Sequence, residues 1–115
     1  MKKIEDENYC VTLDEDSAKV IMDGVLRLSG AAEFTPIVGF LNDLLALEEK
    51  DIEIDLSKLE FMNSSGIAVL SKLMISARQR KSGKITIRGS LSIPWQTKSL
   101  KNLQRLLPAL ELIIE

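Results

Sequence analysis

Polar and apolar residues alternate along short stretches of the first third of the chain, which is the pattern of β-strands with one buried face. Three such runs have the sequences NYCVTL, AKVIM and VLRLS. The acidic segment DED separates the first two runs, and the dipeptide DG separates the last two. Asp-Gly between apolar runs is a strong signal for a two-residue hairpin. The pattern therefore predicts three strands with an antiparallel start.

The hydrophobic period then changes to that of a helix, in two separate segments. Thr35 followed by Pro36 predicts the start of the first helix, with a hydroxyl cap and a proline at a position that needs no N–H. This helix should end near Lys50. The second helix should end in the basic segment RQRKSGK, where Gly83 is well placed to stop it. The apolar stripes are Ile37, Phe40, Leu41, Leu44 and Leu45 in the first helix and Ile67, Leu70, Leu73, Met74 and Ala77 in the second.

Further strands and a third helix complete the pattern. DIEIDLS and KITIRG are predicted strands, and LELIIE is a final strand or an apolar tail. Pro94 can open the third helix and Pro108 closes it. The order is then β-β-β-α-β-α-β-α-β, in which each helix joins two strands that should lie parallel. The prediction is an α/β sandwich, with helices packed on a mixed sheet that is antiparallel at its start and parallel later.

Length and composition limit the class of protein. With 115 residues, of which 45% are hydrophobic, the chain should form a single domain over residues 1–115. Its one cysteine, Cys10, excludes an internal disulfide and a site with several thiolate ligands. No apolar stretch reaches the roughly 20 residues of a membrane helix, and MKKIEDENYC is acidic where a signal peptide would be apolar. We therefore expect a cytoplasmic protein without direct membrane insertion.

The charge is small overall but unevenly distributed. A net charge of -2 disfavours nucleic acid as a partner. Residues 1–60 contain 15 acidic and 6 basic side chains, whereas residues 61–115 contain 2 and 9. Several basic residues could form a patch, although a solvated helix end is the favoured interpretation. These residues are Arg78, Arg80, Lys81, Lys84 and Arg88.

The segment FMNSSGIAVL places two serines at a turn between a strand and a helix. Asn63 or Ser64 can cap the helix, and Gly66 removes a side chain where another backbone can approach. Capping alone is one interpretation of these hydroxyls. Phosphorylation is another, because a phosphate at a helix N-terminus meets free N–H groups while adding negative charge to the surface.

Catalysis is disfavoured by the residues that the chain lacks. It contains no histidine that could act as a base, and neither serine lies in a G-x-S-x-G elbow. Nucleotide-binding loops and clusters of metal-ligating residues are also missing from the sequence. The prediction is a protein that is not an enzyme and that has no cofactor and no metal site.

The stretch IDLSKLEFMNSSGIAVLSKL resembles the core signature of STAS domains, which is a strand, D-x-S-x-x-x-x-x-D-S-[ST]-G, and a helix. The spacing matches from Asp55 to Gly66, although Asn63 stands where the family usually has aspartate. The predicted element order also resembles that fold. The resemblance implies a STAS-like regulatory module of signal transduction, in which Ser64, or alternatively Ser65, accepts phosphate.

In the stand-alone bacterial members that the sequence resembles, such a module is an anti-sigma factor antagonist in a partner-switching pathway. The resemblance then implies a protein partner that is a serine kinase or anti-sigma factor, and a separate phosphatase. The implied partner-binding residues are Asn63, Ser64, Ser65, Gly66 and Lys72. The alternative is a constitutive scaffold or a transporter-associated STAS subunit without a phosphorylation switch, which Asn63 favours.

Trp95, the only tryptophan, lies in the first turn of the predicted third helix. It is a candidate partner-binding residue, because exposed aromatic side chains often anchor protein partners. The competing interpretation is that the ring packs over the sheet edge with its indole N–H in water.

Overall fold

A computed structural model, which describes residues 1–80 and 82–115, contains one six-stranded sheet and three helices within those residues. The strands are β1 (Lys2–Glu5), β2 (Tyr9–Asp14), β3 (Lys19–Leu26), β4 (Ile52–Met62), β5 (Ile85–Gly89) and β6 (Glu111–Ile114). The helices are α1 (Gly30–Leu45), α2 (Ser64–Ala77) and α3 (Gln96–Leu106).

The strands follow one another across the sheet in chain order. β1, β2 and β3 are antiparallel neighbours, whereas β3, β4, β5 and β6 run parallel and are joined by the three helices. α2 packs against both α1 and α3, so the helices form one layer over the apolar side of the sheet. This architecture confirms the predicted α/β sandwich with its mixed sheet.

The runs AKVIM and VLRLS form a single strand, β3, so the predicted hairpin at the Asp-Gly dipeptide is wrong. Gly24 lies inside β3, opposite Tyr9, and has a φ of 95°. A β-carbon at Gly24 would collide with the backbone carbonyl of Asn8. Glycine is therefore required for a close approach between two chain segments and not for a chain reversal. The reversal between β2 and β3 lies at residues 15–18.

The N-terminal segment adds a strand that the polar pattern does not predict. β1 has the sequence KKIE and pairs in antiparallel register with β2. Only Ile4 of this strand is partly buried. Charged side chains are typical of an edge strand, where they oppose pairing with another chain. Backbone pairing and position at the edge thus outweigh the low hydrophobicity of the segment.

Helix α1 begins at Gly30 with Ser29 as its N-cap residue, so the predicted start at Thr35 and Pro36 is wrong. The Glu33 carboxylate accepts a hydrogen bond of 2.9 Å from the backbone N–H of Ser29. Pro36 consequently lies inside the helix, where its backbone nitrogen has no hydrogen to donate to the preceding turn.

The earlier start of α1 is explained by the burial of Phe34. This side chain is almost fully buried and lies on the same helix face as the aliphatic residues that follow it. It reaches that position only if the helix has already formed before Thr35. The helix ends at Leu45, one turn before the predicted end near Lys50. The buried face of α1 consists of Phe34, Ile37, Leu41 and Leu44.

Two arginines that follow α2 bind backbone carbonyls of neighbouring segments. The Arg78 Nε donates a hydrogen bond of 2.7 Å to the carbonyl of Leu106, the last residue of α3. The Arg80 Nη2 donates to the carbonyls of Leu47 and Lys50, at 2.8 and 2.9 Å. These cations therefore join the end of α2 to the segments that follow α1 and α3.

Two further basic residues of the patch considered from the sequence, Lys84 and Arg88, are paired with carboxylates. Lys84 pairs with Glu111, and Arg88 pairs with Glu53 on β4 and with Glu115, which follows β6. The bond to Glu53 is the main reason that the pKa of Arg88 lies above its usual value. The predicted role of Lys81 lies outside the described residues. Helix α2 ends at Ala77, well before Gly83, which lies in the following loop.

Gln96 takes the place of a neighbouring strand along the second half of β4. β5 pairs only with residues 52–55 of the longer strand. Beyond them, the fully buried Gln96 donates through Nε2 to the carbonyls of Leu56 and Leu59, at 2.6 and 3.0 Å. Its Oε1 accepts a hydrogen bond of 2.7 Å from the N–H of Ser90. One side chain thus satisfies three backbone groups at this strand edge.

None of the helices in the described residues combines the length and apolarity required to cross a membrane.

Candidate functional site

The candidate site lies where β4 leaves the sheet and α2 begins. β4 contains one extra residue between Asp55 and Lys58, and another between Leu59 and Phe61, relative to the register of β3. Such bulges bend a strand and redirect its side chains, and they are frequent beside functional sites. The result here is that Phe61 points outward beside the turn, with 37% of its surface exposed.

Asn63 is the N-cap of α2. Of the two candidate caps that the sequence offered, Asn63 and Ser64, the structure therefore uses the first. Its Oδ1 accepts a hydrogen bond of 3.1 Å from the backbone N–H of Gly66. Its Nδ2 donates to the carbonyl of Leu28 at 2.9 Å, and its backbone N–H donates to the carbonyl of Leu26 at 3.2 Å. The amide therefore caps the helix and also fixes the end of β3. An aspartate could accept the first bond but could not donate the second.

Ser64 is the first residue of α2 and is exposed. Its hydroxyl forms no hydrogen bond with any residue that the structure describes, so it contributes nothing to the cap. Ser65 is partly buried and Gly66 is buried. A β-carbon at Gly66 would lie 2.5 Å from Cγ and 2.9 Å from Sδ of Met62. The close neighbour of Gly66 is therefore a side chain, whereas the sequence suggested a backbone segment.

Two residues of this surface are missed by the sequence analysis. The guanidinium carbon of Arg27 lies 4.7 Å from the centre of the Phe61 ring, which is the geometry of a cation–π contact. Arg27 stands between Leu26 and Leu28, whose carbonyls both bind Asn63. The one sequence signal is the aromatic residue just before the serines. We call Arg27, Phe61, Asn63, Ser64 and Ser65 the serine surface.

Lys72 is exposed on α2, two turns after Ser65 and on the same side of the helix. The structure therefore places this predicted partner-binding residue on an exposed helix face that begins at the serines.

Trp95 is partly buried and lies along the edge of β4. Its indole Nε1 donates a hydrogen bond of 3.2 Å to the carbonyl of Leu59. Packing over the sheet edge is thus observed, but the indole N–H is bound to the protein and not to water as the sequence analysis expected. The role of Trp95 as a partner anchor stays a prediction.

Asn63→Ala is expected to lower the free energy of unfolding by about 1–3 kcal/mol, because it removes the helix cap and leaves the Leu28 carbonyl unpaired. Ser64→Ala should change it by less than about 0.5 kcal/mol, since that hydroxyl supports no structure. Urea unfolding followed by circular dichroism measures both. An equal loss in the two variants would show that Ser64 shares the capping role.

Comparison with known proteins gives a family and a set of similar structures. A protein-family model described as "Mlab, STAS domain" matches residues 11–108. A chain in the crystal structure of the diguanylate cyclase SiaD in complex with its activator SiaC, from Pseudomonas aeruginosa, has a TM-score of 0.76 and 14% identity, with 100% of both chains covered. Curated protein sequences gave no match.

Two further structures from Pseudomonas aeruginosa show the same similarity. Apo-SiaC has a TM-score of 0.72 and 14% identity, covering 100% of this chain and 99% of that chain. A second structure of SiaC has a TM-score of 0.74 and 15% identity, covering 100% and 98%. At these identities the similarity establishes the shared α/β fold.

Proposed function

Because the chain belongs to the STAS domain family, we propose that it is a non-catalytic regulatory module that binds a protein partner through the serine surface. Phosphorylation of Ser64 controls this binding. The partner is a serine kinase or an anti-sigma-factor-like protein, and a separate phosphatase restores the unmodified form. The pathway is thus a partner switch in which this chain is the modified component.

The observation that carries the proposal is that Asn63, and not Ser64, caps helix α2. Asn63 provides the whole side-chain cap of α2, while the neighbouring hydroxyl is exposed and unbonded among the described residues. A modification of Ser64 therefore removes no interaction that supports the fold. The positive end of the helix dipole also favours a phosphate at this position.

The proposed switch acts through charge. A phosphate adds about -1.5 to -2 charges at neutral pH. This charge appears beside Phe61 and Arg27, the aromatic and basic groups that a partner can bury. A partner that presents acidic or apolar groups to this surface is then repelled, because like charges and unpaired buried charges both oppose association.

A second candidate partner is an enzyme that this chain activates by binding. The observation in its favour is the full-length similarity to a structure in which SiaC is the activator of the diguanylate cyclase SiaD. The serine surface would serve that partner equally well, since its aromatic and basic groups can contact a protein of either activity.

The alternative of a constitutive scaffold or transporter-associated subunit requires the serines to have only a structural role. The geometry favours the switch, because the cap is made by Asn63 and the Ser64 hydroxyl forms no hydrogen bond within the described chain. In the scaffold, phosphorylation at Ser64 would not occur.

The proposal is tested by phosphorylation of the purified chain. Serine kinases encoded beside its gene are incubated with it, ATP and Mg²⁺, and the product is examined by intact mass and peptide mapping. We expect one phosphate on Ser64, none on Ser64→Ala, and one on the matched control Ser65→Ala. Phosphate on Ser65 alone would identify Ser65, and not Ser64, as the acceptor. Absence of phosphate from both serines would favour the scaffold.

A further inference from the structure

A groove of about 380 Å³ lies between α1 and α2 on the outer side of the helical layer. Four aliphatic side chains form its floor, three polar side chains that carry no charge lie among them, and one side chain is charged. The aliphatic residues are Val38, Leu41, Val69 and Leu73, the uncharged polar residues are Thr35, Asn42 and Ser76, and the charged residue is Lys72.

Lys72 provides the charge among the residues that line the groove. It is the only charged residue among the 14 of α2, a composition unlike the charged outer face of an ordinary surface helix. Its side chain is exposed, and within residues 1–80 and 82–115 it forms no ion pair. The groove thus has an apolar floor with one cation that lacks a carboxylate partner in the described chain.

Gly39 lies on the outer face of α1, beside two of the residues that line the groove. It is exposed in the middle of the helix, one turn from both Thr35 and Asn42, and a β-carbon there would meet no atom within 4 Å. Its φ is not positive, so the backbone does not require glycine. Glycine also destabilises a helix interior relative to alanine. The missing side chain leaves room on this face of α1 for the close approach of another chain.

The groove is continuous with the serine surface. Ser65, Val69, Lys72 and Ser76 are spaced by four, three and four residues along α2, so they lie in one row on the helix. The row runs from the serine turn through the groove. Ile75, which is 48% exposed, lies beside it and extends the apolar area. A segment that fills the groove therefore comes close to any phosphate on the serines.

We propose that this groove binds an amphipathic helix of the protein partner, with aliphatic side chains over the floor and a carboxylate against Lys72. The inference rests on the proposed function and specifies the chemistry of the partner's docking segment. A helix fits because α1 and α2 leave an elongated apolar channel between their ridges, which is how grooves receive amphipathic helices. An acidic helix fits because Lys72 is the charge to be matched. Phosphate on Ser64 would repel the same acidic segment.

The test uses isothermal titration calorimetry to measure how groove variants of this chain bind the purified serine kinases encoded beside its gene. Gly39→Leu should weaken binding about thirtyfold or more, because its side chain would project from the outer face of α1 beside the groove and prevent a docked helix from approaching α1 closely. Its thermal midpoint should be unchanged or higher by about 4 °C, since helix propensity improves. Gly39→Ala, the matched control, should bind within about twofold.

Lys72→Glu should weaken binding about tenfold or more, because it opposes the partner's carboxylate. Lys101→Glu, the same change at an exposed site on α3, should change it by less than about twofold. A Glu→Lys change in the partner's docking helix should restore binding to Lys72→Glu.

The outcomes separate the two proposals. If Gly39→Leu and Lys72→Glu bind as the unmodified chain does while Ser64→Asp binds weakly, the partner does not dock in the groove. The proposed function then stands. If only the two groove variants lose binding, the partner docks in the groove but charge at Ser64 does not control its binding. If the unmodified chain binds none of the candidate partners, both are overturned. Light scattering that shows a dimer disrupted by Gly39→Leu would assign the groove to a second copy and contradict the proposal.

Discussion

Ser64→Asp is expected to weaken binding of the partner by about a hundredfold or more. The aspartate puts a permanent negative charge on an exposed residue that supports no structural hydrogen bond among the described residues, so its effect falls on the interface and not on the fold. Calorimetry at two salt concentrations measures it. The difference from the unmodified chain should shrink at high salt, because an exposed charge is screened within a Debye length of about 10 Å at 0.1 M.

Ser64→Asn is the matched control, since asparagine has the shape of aspartate without its charge. It should bind within about threefold of the unmodified chain. Equal weakening by asparagine and aspartate would mean that size at this position matters and charge does not. Full binding by Ser64→Asp would refute the switch. The unfolding midpoints of both variants should match that of the unmodified chain.

Gln96→Leu is expected to lower the free energy of unfolding by about 3–5 kcal/mol, the largest effect on stability that we anticipate. Leucine nearly preserves the buried volume but removes all three hydrogen bonds of the amide. The carbonyls of Leu56 and Leu59 and the N–H of Ser90 then lose this partner, and unsatisfied buried backbone groups are costly. Urea unfolding at neutral pH gives the value.

Gln104→Leu provides the comparison on the same helix. Gln104 is partly buried and makes a single hydrogen bond of 3.0 Å to the carbonyl of Leu110. Its replacement should cost about 1 kcal/mol or less. If the two substitutions cost the same, the bonds made by Gln96 are not a major source of stability.

The order of helices and strands could be predicted because the hydrophobic period differs between them. The errors occur where a local signal competes with a distant contact. The Asp-Gly dipeptide indicates a hairpin when only its neighbours in sequence are considered. In the fold, glycine is needed at position 24 because the carbonyl of Asn8 leaves no space for a β-carbon. Thr35 and Pro36 similarly form a good start signal, which the burial of Phe34 overrides. Neither contact is visible in a short window of sequence.

The same limit applies to the candidate site. Ser64 and its turn could be located from the spacing of one continuous motif. Arg27 and Phe61 come from different strands and meet only because β3 and β4 are neighbours with shifted register. The groove also needs residues from two helices. Gln96 shows no sequence signal of its importance, because a glutamine in an amphipathic helix is ordinarily solvated.

The hydrogen bonds that Gln96 and Trp95 make to β4 also protect the protein from self-association. A strand that extends past its neighbour has unpaired backbone groups, and these can template edge-to-edge aggregation. Side chains already bind the carbonyls of Leu56 and Leu59, so these two acceptors are less available to a foreign strand. The chain can therefore extend β4 past its pairing with β5, towards the serine turn, without exposing a bare strand edge to other chains.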